Sequence, residues 1–119
     1  MGKITNDKTE REVKAEVSRY LKGLGEGAFF PYNPYGGTAG VPDKIGCLRG
    51  RFIGIECKRP SKKSTKDGGL SPVQLSVKRR IEKAGGLYII VYKKADLVEA
   101  IYNFLLEVQN ANTNDTGRI

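Results

Sequence analysis

Residues 41–58, VPDKIGCLRGRFIGIECK, determine the fold that the sequence predicts. Two short and largely apolar runs in this stretch, residues 43–48 and 51–58, are separated by Arg49-Gly50. A two-residue connection that contains glycine, between two apolar runs, is typical of a β-hairpin. We therefore predict two antiparallel strands joined by a tight turn.

Three polar side chains of this hairpin are expected to meet at its open end. Alternate residues of a strand point to opposite faces, so Glu56 and Lys58 share one face while Ile53 and Ile55 share the other. Asp43 begins the partner strand, and antiparallel pairing carries it back towards Glu56. The hairpin therefore brings two carboxylates together beside one ammonium group.

This trio suits the binding of a divalent cation and the hydrolysis of a phosphodiester. Mg²⁺ prefers oxygen ligands and usually takes one or two protein carboxylates together with water and a substrate phosphate. Asp43 and Glu56 fit that need, and Lys58 could orient or help to deprotonate the attacking water. Each feature alone has an ordinary explanation, because Glu-x-Lys on a strand is often only an ion pair and Pro-Asp is usually a turn.

Helices can add two further polar residues to this cluster. Apolar residues recur with helical spacing over residues 9–24, and Glu10 lies near the apolar face that would meet the sheet. We expect Glu10 to supply a third carboxylate, with Glu16 as the alternative. Gln74 lies in the first turn of a helix that Ser71-Pro72 begins, where its amide could contact water or phosphate.

The remaining segments complete a small α/β domain. The predicted elements are a helix over 9–24, a short strand within 28–30, the hairpin, a basic loop over 59–70, a helix from 72 to 84, a strand over 87–92 and a helix over 97–108. This order predicts a single domain over residues 1–109, with a mixed β-sheet flanked by helices. A disordered tail is predicted over residues 110–119.

The excess of positive over negative charge lies in the middle third of the chain. The net charge is +8, from 21 Lys and Arg against 13 Asp and Glu, and residues 49–83 alone contribute +8. A localised positive patch attracts a polyanion and releases its counterions, as nucleic-acid-binding proteins do, although an ordinary solvated surface is the alternative. The candidate DNA-binding residues are Arg49, Arg51, Arg59, Lys62, Lys63, Lys66 and Lys78.

Composition excludes several other classes of protein. The chain has no histidine, which removes imidazole metal ligands and the base of most hydrolytic triads. Cys47 and Cys57 are too few for a disulfide framework or for a zinc site without histidine, and we expect both thiols to be reduced and buried. No segment has the apolar length of a membrane span or the pattern of a signal peptide, so we expect a cytoplasmic protein.

The motifs of this chain resemble the PD-(D/E)XK nuclease signature. Val41-Pro42-Asp43 resembles its first part, and Ile55-Glu56-Cys57-Lys58 resembles its second. Over about residues 9–92 the chain is similar to the VRR-NUC branch of that superfamily. The further motifs that carry this resemblance are Thr9-Glu10, Tyr20-Leu21, Asn33, the glycine-rich loop over residues 36–40 and Leu70-Ser71-Pro72-Val73-Gln74.

The resemblance implies a restriction-endonuclease-like core and phosphodiester hydrolysis that depends on Mg²⁺ or Mn²⁺, without a nucleotide cofactor. The site residues that it implies are the metal ligands Asp43, Glu56 and the backbone carbonyl of Cys57, the catalytic lysine Lys58, the supporting glutamine Gln74 and the helix acid Glu10. Stand-alone forms of this module, similar to those in bacteriophages, imply a homodimer that cleaves branched DNA such as Holliday (four-way) junctions. Such a protein would act in the cytoplasm of a bacterium or a phage-infected cell, and residues 97–108 or 28–35 could form its dimer surface.

Two other functions are compatible with the same sequence. A flap, nicking or restriction-type nuclease would use the same residues on a different DNA. A non-catalytic basic DNA-binding module would hold Asp43, Glu56 and Lys58 only as a structural ion pair. The two classes are distinguishable, because only a nuclease has metal-dependent cleavage to lose when Lys58 is replaced.

Overall fold

The hairpin forms the middle of a four-stranded sheet in the computed structural model, which describes residues 7–36 and 38–116. The order across the sheet is β1 (Ala28–Phe29), β2 (Lys44–Leu48), β3 (Arg51–Cys57) and β4 (Leu87–Val91). β2 is antiparallel to both of its neighbours, whereas β4 is parallel to β3. The predicted mixed sheet is therefore confirmed.

Three α-helices flank this sheet, as predicted. They are α1 (Glu10–Lys22), α2 (Pro72–Lys83) and α3 (Lys94–Thr116). The basic segment predicted as a loop contains one short 3₁₀-helix, Pro60–Ser64, followed by a turn over Lys66–Gly69 in which Asp67 and Gly68 have positive φ angles of +57° and +64°. The chain is thus a mixed α/β protein with the predicted order of elements.

The hydrophobic core lies between one face of the sheet and the helices α1 and α3. Ile53 and Ile55 of β3 are fully buried there, and strand alternation places Cys57 beside them. The helix residues of this core are Val13, Val17 and Leu21 from α1 and Leu97, Ile101 and Phe104 from α3. Burial of these aliphatic side chains is the main favourable contribution to folding, at roughly 25 cal/mol per Å² of apolar surface.

The other face of the sheet packs more lightly against α2. A Cβ on Gly54 would lie 3.0 Å from Pro42 and 3.3 Å from Ile81, so this glycine lets α2 and the loop before β2 approach the sheet closely. The predicted apolar stripe of α2 is only partly covered, because Val73 remains half exposed. This thinner layer leaves room for polar side chains at the end of β3.

The turn between β2 and β3 has the predicted length and backbone shape. Leu48 pairs with Arg51, which leaves Arg49 and Gly50 as the two turn residues. Their φ angles are +49° and +83°, and positive φ at both positions is the geometry that suits a two-residue hairpin turn. This turn fixes the register of the two strands.

The final helix is longer than the sequence pattern predicted. We expected it to end near residue 108 and a disordered tail to begin at 110, but α3 continues to Thr116. Residues 109–116 contain neither glycine nor proline, so the sequence holds no strong helix breaker before Gly117. Within the described residues, no helix combines the length and the apolar character needed to cross a bilayer.

Gly40 provides a test of how closely the loop before β2 must approach α2. A Cβ on Gly40 would lie 2.6 Å from Val73 Cγ1, whereas a Cβ on Gly50 would meet nothing within 4 Å, and both glycines have a φ of +83°. We predict that Gly50→Ala costs about 1–2 kcal/mol, the ordinary penalty of a left-handed backbone. Gly40→Ala should cost about 1–3 kcal/mol more because of overpacking. Urea unfolding measures both losses, and equal losses would contradict the close approach.

Candidate active site

The hairpin register places Asp43 against the end of β3. Lys44 pairs with Ile55, so the next residues outward on the two strands, Asp43 and Glu56, are opposite each other. The Cys57 N–H donates a hydrogen bond of 2.8 Å to Asp43 Oδ2. This bond holds one oxygen of the Asp43 carboxylate in place at the open end of the hairpin.

Asn33 holds the backbone on which Asp43 lies. Its side chain is almost completely buried, and Nδ2 donates to the carbonyls of Pro42 at 2.9 Å and Asp43 at 3.3 Å. Its Oδ1 accepts from the Tyr35 N–H at 3.0 Å. Asn33 therefore ties its own loop to the start of β2. Asn33 is one of the motifs that carry the resemblance, but the sequence did not specify this positioning role.

Glu56 is a buried carboxylate with one unpartnered oxygen. Its Oε2 accepts a 3.2 Å hydrogen bond from Gln74 Nε2 and lies 3.8 Å from Lys58 Nζ. Its Oε1 is buried and has no hydrogen-bond partner among the described residues. Burial, followed by the charge of Asp43, raises the pKa of Glu56 to about 8 although Lys58 opposes the shift. The site is therefore short of positive charge at Glu56.

Gln74 connects Glu56, Lys58 and the first turn of α2. Ser71 is the N-cap of α2, its Oγ accepts from the Gln74 N–H at 3.1 Å, and Gln74 Oε1 accepts from the Ser71 N–H at 2.9 Å. The same Oε1 accepts from Lys58 Nζ at 3.0 Å. The amide oxygen is thus occupied by two donors, which leaves Nε2 to donate to Glu56. This capping box orients the whole amide.

Lys14 is a site residue that sequence reasoning missed. Its Nζ lies 3.2 Å from Asp43 Oδ1 and 3.4 Å from Glu10 Oε2. Burial lowers the pKa of Lys14, but the charges of Asp43 and Glu10 outweigh burial, so the pKa is raised. The available signal was its position four residues after Glu10 on the same helix. Glu16, the alternative helix acid, pairs instead with Lys8.

The donor set fits a divalent cation that takes part of its shell from water and substrate. Within residues 7–36 and 38–116, no group of three or more His, Cys, Asp and Glu side chains could hold a metal ion. Asp43 and Glu56 provide two adjacent carboxylates, and the orphaned Oε1 of Glu56 is an unused oxygen ligand. One or two carboxylates are sufficient for Mg²⁺ when water and phosphate complete the shell.

The two cysteines have different environments. The thiol of Cys57 is fully buried in the core, and burial raises its pKa to about 12, so it stays protonated. Its backbone N–H, rather than its thiol, contacts the site through Asp43. Cys47 is exposed, so our prediction that both thiols are buried was wrong for Cys47. Strand alternation puts Cys47, which pairs with Phe52, on the face of the sheet that packs more lightly against α2.

The basic residues do not form one continuous patch around the site. Lys62, Lys63 and Lys66 are exposed on the 3₁₀ segment that follows Lys58. Arg51 lies five residues before Glu56 on β3, about 17 Å away at the rise of a strand. The other predicted DNA-binding residues are Arg49 beside Arg51 in the turn, Arg59, which pairs with Asp7 at 2.9 Å, and Lys78, which pairs with Glu82 at 3.1 Å.

Arg51 makes a contact within the fold that explains its presence without DNA. Its guanidinium lies 5.0 Å from the centre of the Phe104 ring of α3, within the range of a cation–π contact. The strand pairing places Arg49 and Arg51 at the turn end of the hairpin, whereas Asp43 and Glu56 are at its open end. The predicted DNA-binding residues are thus divided between the turn of the hairpin and the segment after Lys58, with Lys78 on α2 one helical turn beyond Gln74.

The aromatic residues of the loop before β2 are largely exposed. We favoured the core for them over base stacking, but Phe29, Tyr32 and Tyr35 have exposed fractions of 69%, 88% and 58%. Only Phe30 packs against the core cluster. Strand alternation explains the difference between Phe29 and Phe30, because Phe29 pairs with Cys47 and faces away from the side of the sheet on which Phe30 lies against Gly46.

No protein-family model, curated protein or solved structure matches this chain. The interpretation of the site therefore depends on its own residues and their geometry.

The raised pKa of Glu56 predicts a pH-dependent stability. Between 4.5 and about 8 the folded chain keeps a proton on Glu56 that the unfolded chain has lost. Raising the pH through this window should therefore lower the free energy of unfolding, by up to about 1.4 kcal/mol per pH unit. Glu56→Gln removes the titration and keeps the shape of the side chain.

Urea unfolding in EDTA from about pH 5 to about pH 8 measures this effect. The wild-type protein should lose stability relative to Glu56→Gln as the pH rises. The charged groups that contribute to the shift are Asp43, Lys58, Glu10 and Lys14. Parallel pH profiles for the two proteins would show that Glu56 titrates normally.

Proposed function

We propose that this protein is a Mg²⁺- or Mn²⁺-dependent DNA endonuclease, with the restriction-endonuclease-like core of the VRR-NUC branch, that resolves four-way junctions as a homodimer. The observation that carries the proposal is the buried carboxylate of Glu56, which has one unpartnered oxygen and lies beside Asp43, Lys58 and Gln74. The mixed α/β fold and the predicted order of its elements support this assignment.

A purely structural ion pair is the weaker explanation of this cluster. Lys58 is within hydrogen-bond distance of Gln74 but lies 3.8 Å from Glu56, and it leaves Glu56 Oε1 without a partner. Burying a carboxylate that is incompletely satisfied costs free energy, and an apolar residue at position 56 would avoid that cost. Buried groups with strongly shifted pKa values are instead typical of catalytic sites.

The residues of the site divide the work of hydrolysis among them. A divalent cation held by Asp43 and Glu56 would offset charge on the scissile phosphate and acidify a water molecule. Lys58 carries a positive charge at the same end of the hairpin and can orient that water or stabilise charge on the phosphate. Gln74 holds the Lys58 ammonium in place through its amide oxygen.

Nucleic acid is the substrate class that the surface around the site favours. Lys62, Lys63 and Lys66 lie on the segment that follows β3 and are exposed for contact with phosphates. Tyr32 and Tyr35, on the loop that leads to Asp43, expose aromatic rings of the kind that stack on unpaired bases. Branched DNA combines these two features, because it presents phosphates from several arms around bases at a branch point.

A symmetric dimer is the assembly that cutting of both strands of a junction requires. Two cuts related by a two-fold axis need two active sites with the same symmetry. The exposed surface of α3 supports this assembly, because Val98, Tyr102 and Leu106 recur at a spacing of four residues and remain uncovered. Of the two surfaces considered for the dimer, this stripe is the more regular.

Cleavage of a panel of labelled DNAs tests the proposed function. We predict paired cuts in a four-way junction with Mg²⁺ or Mn²⁺, no cuts in EDTA, and a loss of at least about 100-fold in rate for Lys58→Ala, typical of removing a charge-stabilising group. Asp43→Ala should remove cleavage because it removes a metal ligand. Junction binding should largely survive in Lys58→Ala.

The same panel distinguishes the alternatives. Cuts in flaps or linear duplex, instead of in junctions, would keep the nuclease and change its substrate. Tight DNA binding by folded protein without cleavage under either metal would favour the non-catalytic basic module. Arg11→Ala, on the exposed surface of α1, is a control that removes a positive charge outside the cluster.

The 3₁₀ segment after Lys58 should contribute to the salt dependence of DNA binding. Replacing Lys62, Lys63 and Lys66 together by Ala should reduce the slope of log affinity against log salt by about 2–3, since each phosphate contact contributes roughly 0.9. Fluorescence anisotropy with a junction in EDTA measures this slope. The matched control replaces Arg11, Arg19 and Lys22 of α1 by Ala, and an equal decrease in slope there would show that the segment has no special role.

A further inference from the structure

Lys14 occupies a position that none of the nuclease motifs includes. It lies on α1, outside the hairpin, yet its ammonium lies between Asp43 Oδ1 at 3.2 Å and Glu10 Oε2 at 3.4 Å. Its side chain is 41% exposed, so it can leave this position without disturbing the core. Lys14 is therefore a partly exposed positive charge beside the candidate metal ligands.

Lys14 and a divalent cation would use the same oxygen of Asp43. Asp43 Oδ2 accepts the hydrogen bond from the Cys57 N–H, and Oδ1 is the oxygen left for an additional cation. Lys14 Nζ contacts that oxygen, and a cation on Oδ1 would repel an ammonium at this distance. The two charges therefore compete for Asp43 Oδ1.

We propose that Lys14 is a positioning residue whose ammonium neutralises Asp43 in the absence of metal and is displaced when a divalent cation binds. This inference rests on the metal dependence in the proposed function. Before displacement, Lys14 weakens the repulsion between Asp43 and Glu56, because its ammonium pairs with the Asp43 carboxylate. After displacement, Glu10 retains the ammonium at the edge of the site, which gives Glu10 a role other than metal ligation.

Metal titration of the DNA-free protein tests this inference without any measurement of activity. Lys14→Met keeps an unbranched side chain of nearly the same length and removes its charge. Binding of Mn²⁺, followed by electron paramagnetic resonance of the free ion at about pH 8, should become about three- to fivefold tighter because the partly exposed ion pair of Lys14 with Asp43 no longer competes. In EDTA the same variant should melt about 2–4 °C lower than wild type.

Three further variants control for other effects. Lys8→Met removes a lysine that pairs with Glu16 in front of the same helix, and its Mn²⁺ affinity should equal that of wild type. Lys14→Arg keeps the charge and should stay within about twofold of wild type, the spread expected for a partly exposed pair. Lys14→Gln is a second neutral variant and should bind Mn²⁺ more tightly, as Lys14→Met does.

The possible outcomes separate this inference from the proposed function. If the wild-type protein binds Mn²⁺ through Asp43 and the neutral Lys14 variants bind it equally or more weakly, the displacement is wrong and the nuclease assignment stands. If neither wild-type protein nor the neutral variants bind Mn²⁺ while all are folded, both proposals are overturned. Tighter binding in both neutral variants supports the displacement.

Discussion

The pairing register of β2 with β3 determines where the polar side chains of the site lie. A turn of two residues with positive φ fixes that register, and at the open end of the hairpin it leaves Asp43 opposite Glu56. A shift by one residue would turn Glu56 towards α1 and α3 and move Ile55 out of the core. The burial of Ile53 and Ile55 in the core therefore also maintains the geometry of the two carboxylates.

The charges of the site are balanced only in part. Lys14 pairs with Asp43, and Gln74 donates a hydrogen bond to one oxygen of Glu56. The second oxygen of Glu56 is buried without a partner among the described residues. Such an arrangement costs stability. α2 packs lightly against this face of the sheet, and its Gln74 contacts Lys58 and Glu56 through hydrogen bonds. Polar contacts therefore hold the start of α2 more than burial of apolar surface does.

The sequence predicted the helices and strands better than it predicted the contacts between them. Strand alternation and the Arg49-Gly50 turn identified the hairpin, and helical spacing identified α1, because these signals depend on neighbouring residues. The contact of Lys14 with Asp43 depends on how α1 packs against the sheet, and local periodicity contains no information about that packing. Charge along the sequence likewise contains no information about distance in the fold. We therefore predicted one basic patch that included both Arg51, at the turn end of β3, and the lysines that follow Lys58.

A comparison of the two capping boxes shows why glutamine occupies position 74. α1 begins with Thr9 and Glu12, whereas α2 begins with Ser71 and Gln74, and either acidic or amide side chains can complete this motif. A glutamate in place of Gln74 could still cap α2 and pair with Lys58, but it would present a carboxylate instead of an N–H donor to Glu56. Helix stability alone therefore does not select glutamine over glutamate. The hydrogen bond to Glu56 does, which makes Gln74 part of the site as well as part of the helix.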